Sequence, residues 1–218
     1  MKPELVIFDC DGVLVDSEPV SNMVTVDALA DLGLILPLEQ VMEMFVGKSM
    51  AQVAAISRRI GAKLPGTDAE WIEQLYAATY ARLRQGVDPI PGVVAVLDAL
   101  DAAGVPYCVA SNGSDEKMDI TLGATGMAAR LAGKRFSAHS LGVSKPEPDL
   151  FLIAARHMGI APAAAVVIED SASGALGARR AGMACFGYAP TGGGALADVG
   201  AQIFRDMADL PDLLELSG

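Results

Sequence analysis

The sequence predicts an α/β protein, a parallel sheet with helices on both faces, interrupted after its first strand by an inserted all-helical domain. Three observations lead there. Short apolar runs alternate with helical patterns through most of the chain, the rhythm of parallel strands joined by crossover helices. The helical patterns stop at glycines, which supply left-handed caps. Between residues 16 and 85 no convincing strand occurs, while helical punctuation continues.

Glu4–Phe8 (ELVIF) reads as a buried strand running straight into acidic residues. The insertion then offers helices over Glu18–Leu32, closed by Gly33, and Met50–Ile60, closed by Gly61. A third starts at the capping-box pattern Thr67-Asp-Ala-Glu70, with Trp71, Leu75, Ala78 and Arg82 recurring at helical spacing. Alternation then resumes. Helices are expected over Gly92–Ala103, Asp149–Met158 and Ser173–Ala181, and strands over Val105–Ala110, Ala164–Glu169 and Met183–Tyr188, with Ala201–Phe204 a short fifth strand. This divides the chain into an α/β core domain, 1–15 with 86–218, and a helical domain, 16–85. No internal repeat is evident.

Of 218 residues, 52% are apolar and 20% charged, enough apolar surface for a substantial core and too little polarity for disorder. The formal charge of -11 argues against a nucleic-acid partner, because phosphate backbones are bound through Lys and Arg. A small phosphorylated ligand stays open, since a bound divalent cation supplies positive charge locally. Apolar runs fall short of the ~20 residues of a membrane helix, and MKPELVIFDC has no signal-peptide pattern. The expectation is a cytoplasmic protein with no membrane partner. Cys10, Cys108 and Cys185 are far apart, with no CxxC or Cys/His cluster, which points away from zinc and from a disulfide framework. Cys108 and Cys185 read as small buried hydrophobes.

Four stretches can carry chemistry. In Phe8–Glu18 (FDCDGVLVDSE), four carboxylates fall within eleven residues. Residues two apart in an extended chain share a side, so Asp9 and Asp11 can face one site at a strand's carboxyl end, where open α/β sheets place ligands. Such a pair suits a hard cation such as magnesium, or a nucleophile working beside a proton carrier; a polar loop is the plain alternative. The next strand ends in Ala110-Ser-Asn-Gly-Ser114, which fits either a phosphate-holding Ser111 hydroxyl or ordinary turn chemistry. In Ser144-Lys-Pro-Glu-Pro-Asp149, prolines restrict the backbone, so Lys145 is a rigidly presented ammonium or a solvated surface lysine. Glu169 and Asp170 follow a buried run and point in different directions. Asp170 is expected to touch a metal, and Glu169 to bind it directly or through water; either one alone could instead cap the helix at Ser173.

Taken together and in this order, these stretches resemble the haloacid dehalogenase superfamily, in its branch with a helical cap after the first strand. The resemblance covers essentially the whole chain. It rests on Asp9-Cys-Asp11-Gly-Val-Leu, on Ser111 with Asn112, on Lys145 in Lys-Pro-Glu-Pro-Asp, and on Glu169-Asp170. It implies a Rossmann-like core and magnesium-dependent phosphoryl transfer. Asp9 would attack phosphorus and form an aspartyl-phosphate. Asp11 would protonate the leaving oxygen, then deprotonate the hydrolytic water. Asp9, Asp170, Glu169 and the backbone carbonyl of Asp11 would hold Mg2+, while Ser111 and Lys145 would bind phosphoryl oxygens and Asn112 would contact substrate. Asp16 and Glu18 take hinge or capping roles.

Within the family, dehalogenation is disfavoured because those enzymes do not need the second Asp, which is present here. Mutases similar to β-phosphoglucomutase carry a cap His twelve residues after the nucleophile; Ser21 stands there instead, and His139 and His157 lie in the core half. The reading carried forward is a phosphatase acting on a small phosphorylated metabolite, a sugar or sugar-acid phosphate such as 6-phosphogluconate. A sugar phosphomutase is the alternative, and a non-catalytic metabolite-binding or interaction protein the second. In the helical domain, Gly47 and Lys48 of Val46–Met50 are expected to form a specificity loop, or else a simple connecting turn. Thr191–Ala195 (TGGGA) reads as a mobile loop. A monomer or weak homodimer is expected.

Overall fold

All four residues of the first strand, β1 (Leu5–Phe8), are fully buried, as a run of large apolar residues with no polar face demands. The protein is described by a computed structural model covering residues 2–45 and 48–216. β1 is joined by β2 (Tyr107–Ser111), β3 (Arg135–Ser137), β4 (Ala165–Glu169), β5 (Ala184–Tyr188) and β6 (Gln202–Phe204). Every pairing is parallel, in the order β3-β2-β1-β4-β5-β6. On one face Leu5 and Ile7 meet Leu150, Phe151 and Ala154 of the helix Asp149–His157, and Ala175 and Ala178 of the helix Ala172–Arg180. Val6 and Phe8 project to the other face and are equally buried, Phe8 standing edge-on to Tyr107 with ring centroids 6.4 Å apart.

Strand order reverses between β1 and β4. From β1 the chain builds outward through β2 to β3, then returns to β4 on the opposite flank, and such a reversal opens a crevice beyond the carboxyl ends. Phe8 lies opposite Ile168, and the Asp9 N–H donates to the Ile168 carbonyl at 2.9 Å. Asp9 therefore leaves β1 beside Glu169, the last residue of β4.

Contacts divide the chain into two units, residues 1–16 with 88–218, and 17–87. The second unit holds four helices, Glu18–Asp31, Leu38–Phe45, Met50–Arg59 and Asp68–Leu83, and no strand among its described residues. They enclose a core of Val24, Leu29, Val41, Phe45, Val53, Trp71 and Leu75. Reciprocal capping boxes start two of them, Ser49 with Gln52 and Thr67 with Glu70.

Some elements differ from the sequence reading. β3 was absent from the expected strands because three residues beginning with Arg135, next to Lys134, present no apolar run. The helix Leu38–Phe45 is only eight residues long and buries just Val41 and Phe45, too faint a stripe to register. The helix Asp115–Ala124 has an even more polar sequence and buries Met118, Thr121 and Leu122. In the helix Asp68–Leu83 the buried stripe is Trp71, Leu75, Thr79 and Leu83, four residues apart throughout. Ala78 and Arg82 face solvent, and Arg82 pairs with Asp27 at 3.0 Å.

That stripe sets a contrast in stability. Trp71→Ala should cost about 3–5 kcal/mol, since it empties the middle of the helical core. Arg82→Ala, which removes one exposed ion pair, should stay within about 1 kcal/mol. Urea unfolding followed by circular dichroism measures both, and equal losses would contradict the burial pattern.

Candidate active site

Residues from four chain segments meet at the carboxyl edge of the sheet. Lys145, in the turn before the helix Asp149–His157, reaches back with its ammonium to pair with both Asp9 and Glu169. Its backbone is held as well: the Lys145 N–H donates to Asn112 Oδ1 at 3.0 Å, and the Lys145–Pro146 peptide is cis. Asn112 thus ties the end of β2 to the lysine turn. The Ser111 Oγ accepts the Gly113 N–H at 3.0 Å, which leaves its own O–H as a donor.

Glu169 is completely buried, and both its oxygens are engaged. Oε1 takes the Lys145 ammonium, and Oε2 accepts from the Ser171 N–H (3.0 Å) and Oγ (2.8 Å). The space it occupies exists because residue 174 is glycine: a Cβ there would lie 1.8 Å from Oε1. Asp170 depends on Gly12 in the same way. Gly12 has φ +78°, and a Cβ on it would sit 2.0 Å from Asp170 Oδ2. Ligand oxygens of Asp9, Glu169 and Asp170 lie within 4.8 Å of one another.

Asp11 is not part of that trio. Extended backbone ends with β1, Asp11 bridges to Val15, and its carboxylate pairs with Lys117 at 2.8 Å. The two aspartates reach the same edge of the sheet with different lysines as partners.

Burial pushes the Asp9 carboxyl up to about 7; the Lys145 ammonium opposes that shift, while Glu169 and Asp11 add to it. Burial pulls Lys145 downward, but the charges of Asp9 and Glu169 more than offset it, and the ammonium is held above its ordinary range. Lys117 behaves likewise, burial being outweighed by Asp11. When ionised, the four carboxylates Asp9, Asp11, Glu169 and Asp170 exceed Lys145 and Lys117 by two charges, which one divalent cation would neutralise. An all-carboxylate donor set with no Cys or His suits a hard ion such as Mg2+. The residues present fit the metal.

Lys48 is exposed in the helical unit, its N–H donating to the Phe45 carbonyl at 3.0 Å, and Gly47 lies outside the described residues. His157 packs edge-on to Phe136, ring centroids 5.2 Å apart. Of Thr191–Ala195, Gly194 and Ala195 open the helix Gly194–Asp198, and Arg205 donates to the Ala189 and Gly192 carbonyls at 3.2 and 3.3 Å. Two participants were not assigned from sequence, Lys117 and Ser171. Ser171 had a readable signal, a serine three residues before Gly174 at a helix start, where it is the N-cap.

Below the ordinary carboxylate value, Asp9 is protonated in both folded and unfolded chains. As pH rises toward about 7 the unfolded chain has released that proton and the folded one retains it, so stability tied to the proton is lost as pH climbs through that window. Asp9→Asn has no such proton. In chelator, the variant should gain on the wild type by up to roughly 1.4 kcal/mol per pH unit between pH 5 and 7. Thermal unfolding at several pH values reads this, and a pH-independent gap would contradict the burial effect on Asp9.

Comparison with known proteins agrees with this geometry. The family model described as haloacid dehalogenase-like hydrolase matches residues 3–182. The chain is 33% identical to 6-phosphogluconate phosphatase of Escherichia coli (strain K12), covering 99% of this chain and 96% of that protein. It is 31% identical to hexitol phosphatase A of the same organism, covering 81% and 78%. A crystal structure of a HAD family hydrolase from Deinococcus radiodurans, with bound phosphate and sodium, superposes with a TM-score of 0.84 at 32% identity over 99% of this chain and 96% of that one. The strand order, the acidic edge with its buried lysine and these likenesses converge on one conclusion: the chain belongs to the haloacid dehalogenase-like hydrolases.

Proposed function

We propose that the protein is a magnesium-dependent phosphatase that hydrolyses a small sugar or sugar-acid phosphate, such as 6-phosphogluconate, through an aspartyl-phosphate on Asp9. The observation that carries this is the placement of the Asp9 carboxylate between a buried ammonium and two further acids, with a second aspartate held apart by its own lysine. The names of the two phosphatase relatives support the substrate class.

In this reading, an Asp9 oxygen forms a bond to phosphorus as the ester P–O bond breaks. Asp11 gives its proton to the departing alkoxide, then as carboxylate takes a proton from water as the water oxygen attacks phosphorus and frees Asp9. Lys145 spends two of its three N–H bonds on Asp9 and Glu169, leaving the third for a phosphoryl oxygen; the Ser111 O–H serves another. Asn112 acts by fixing the Lys145 turn. Asp9, Asp170, Glu169 directly or through water, and the Asp11 carbonyl would hold Mg2+, which when bound supplies positive charge against the phosphoryl group. Hydrolysis is favoured over mutase chemistry because Ser21, in the helix Glu18–Asp31, offers no imidazole and its hydroxyl donates to the Ser17 carbonyl at 3.0 Å. The helical unit is proposed as the cap that selects substrate.

With Mg2+, the protein should release phosphate from 6-phosphogluconate and from 4-nitrophenyl phosphate, and chelator should abolish both. Asp9→Asn should lower kcat by at least about a thousandfold. Turnover that survives chelation and the Asp9 substitution would overturn the proposal.

A further inference from the structure

Lys117 stands where local rules disfavour it. It is the third residue of the helix Asp115–Ala124, the position at which Glu or Gln completes a capping box and at which the helix dipole opposes a cation. The cap is made without it: the Ser114 Oγ accepts the Lys117 N–H at 3.2 Å. Its side chain instead turns back past the helix start to the Asp11 carboxylate, 2.8 Å away. The path lies over Gly113. A Cβ at that residue would be 3.2 Å from Ser111 Oγ, 3.6 Å from Lys117 Cδ and 3.7 Å from Asp11 Oδ2, so the phosphate-binding hydroxyl of the proposal, the lysine stem and the acid share one small floor. That floor is itself pinned, the Ser137 Oγ donating to the Gly113 carbonyl at 2.7 Å. A locally unfavourable residue that makes a specific contact to a reacting group is where function is expected to override propensity.

We infer that Lys117 is a positioning residue for the acid/base step, aiming the Asp11 carboxyl group at the oxygen that leaves phosphorus. The inference rests on the phosphatase reading and deepens it. Lys117 touches neither phosphorus nor leaving group in this account; it acts through Asp11, fixing the direction from which the proton arrives. Its contribution therefore depends on how much the leaving group needs a proton. Sugar alkoxides need one, whereas 4-nitrophenolate departs without it.

The test is kcat/KM for Lys117→Met, which keeps the methylenes over Gly113 and removes the charge, and for Lys117→Arg. On the alkyl esters 6-phosphogluconate and glucose 6-phosphate, Lys117→Met should lose about 10–100-fold, and on 4-nitrophenyl phosphate less than about threefold, with Arg restoring most of the loss. The melting temperature and its rise with Mg2+ should match the wild type. An equal loss on both ester classes would overturn the inference by making Lys117 a phosphate ligand, and no loss would overturn it outright. A wild type inert toward every ester would remove the phosphatase reading and this inference together, whereas an active wild type with an unaffected variant would remove the inference alone.

Discussion

The buried Lys145 ammonium, shared between Asp9 and Glu169, is the interaction on which the rest of the site depends. Removing one partner of such a buried ion set costs about 3–5 kcal/mol, because the charges left behind have no water to turn to. The fold absorbs that liability by surrounding it with apolar strands. β1 is sealed on both faces, and its neighbour β4 supplies the second carboxylate from the adjacent register position. The backbone of the lysine is held by Asn112, which directly follows β2. The Lys145 side chain thereby joins the ends of β1 and β4 to its turn, and its backbone N–H adds the end of β2 through Asn112, so the site and the architecture share the same constraint.

Close approach matters as much as charge. Gly174 lies within a helix, where glycine costs roughly 0.5–1 kcal/mol relative to alanine. The cost is tolerated because any side chain would overlap Glu169 and dislodge the carboxylate that steadies Lys145. Gly12 solves the matching problem for Asp170 with a positive φ as well as a missing side chain. Glu169 and Asp170 are therefore specified twice, once by their own identity and once by a glycine that leaves room for them, five residues on for Glu169 and far back in the chain for Asp170.

Much of this was legible in the chain. Apolar runs ending in acids marked β1 and β4, and the prolines around Lys145 marked a constrained turn, because burial and backbone restriction leave compositional traces. β3 left none, since three residues at the edge of the sheet need no apolar run. The spacing of Trp71, Leu75, Ala78 and Arg82 marked the helix Asp68–Leu83 but not its buried stripe, because two offsets, three and four, fit a helix equally well until packing fixes which face turns inward. Lys117 had no role assigned from the chain for a different reason. A lysine in the first turn of a polar helix is indistinguishable from a solvated one until the fold brings Asp11, more than a hundred residues earlier, to its ammonium.

The pairing of Asp9 and Asp11 shows how two like groups two residues apart acquire different surroundings. From the chain alone, their spacing places both on one side of an extended strand. In the structure the strand ends first, and the turn at Gly12 sends the second acid toward a lysine of its own. Asp9 is buried against Lys145 and Glu169; Asp11 is about a quarter exposed beside Lys117. In the proposed mechanism, separate environments would let one carboxyl group serve as a nucleophile while its neighbour carries protons, since two acids sharing one setting would compete for the same role. The difference in surroundings is thus set by where the strand stops, a backbone event, and the proposed division of labour would follow from it.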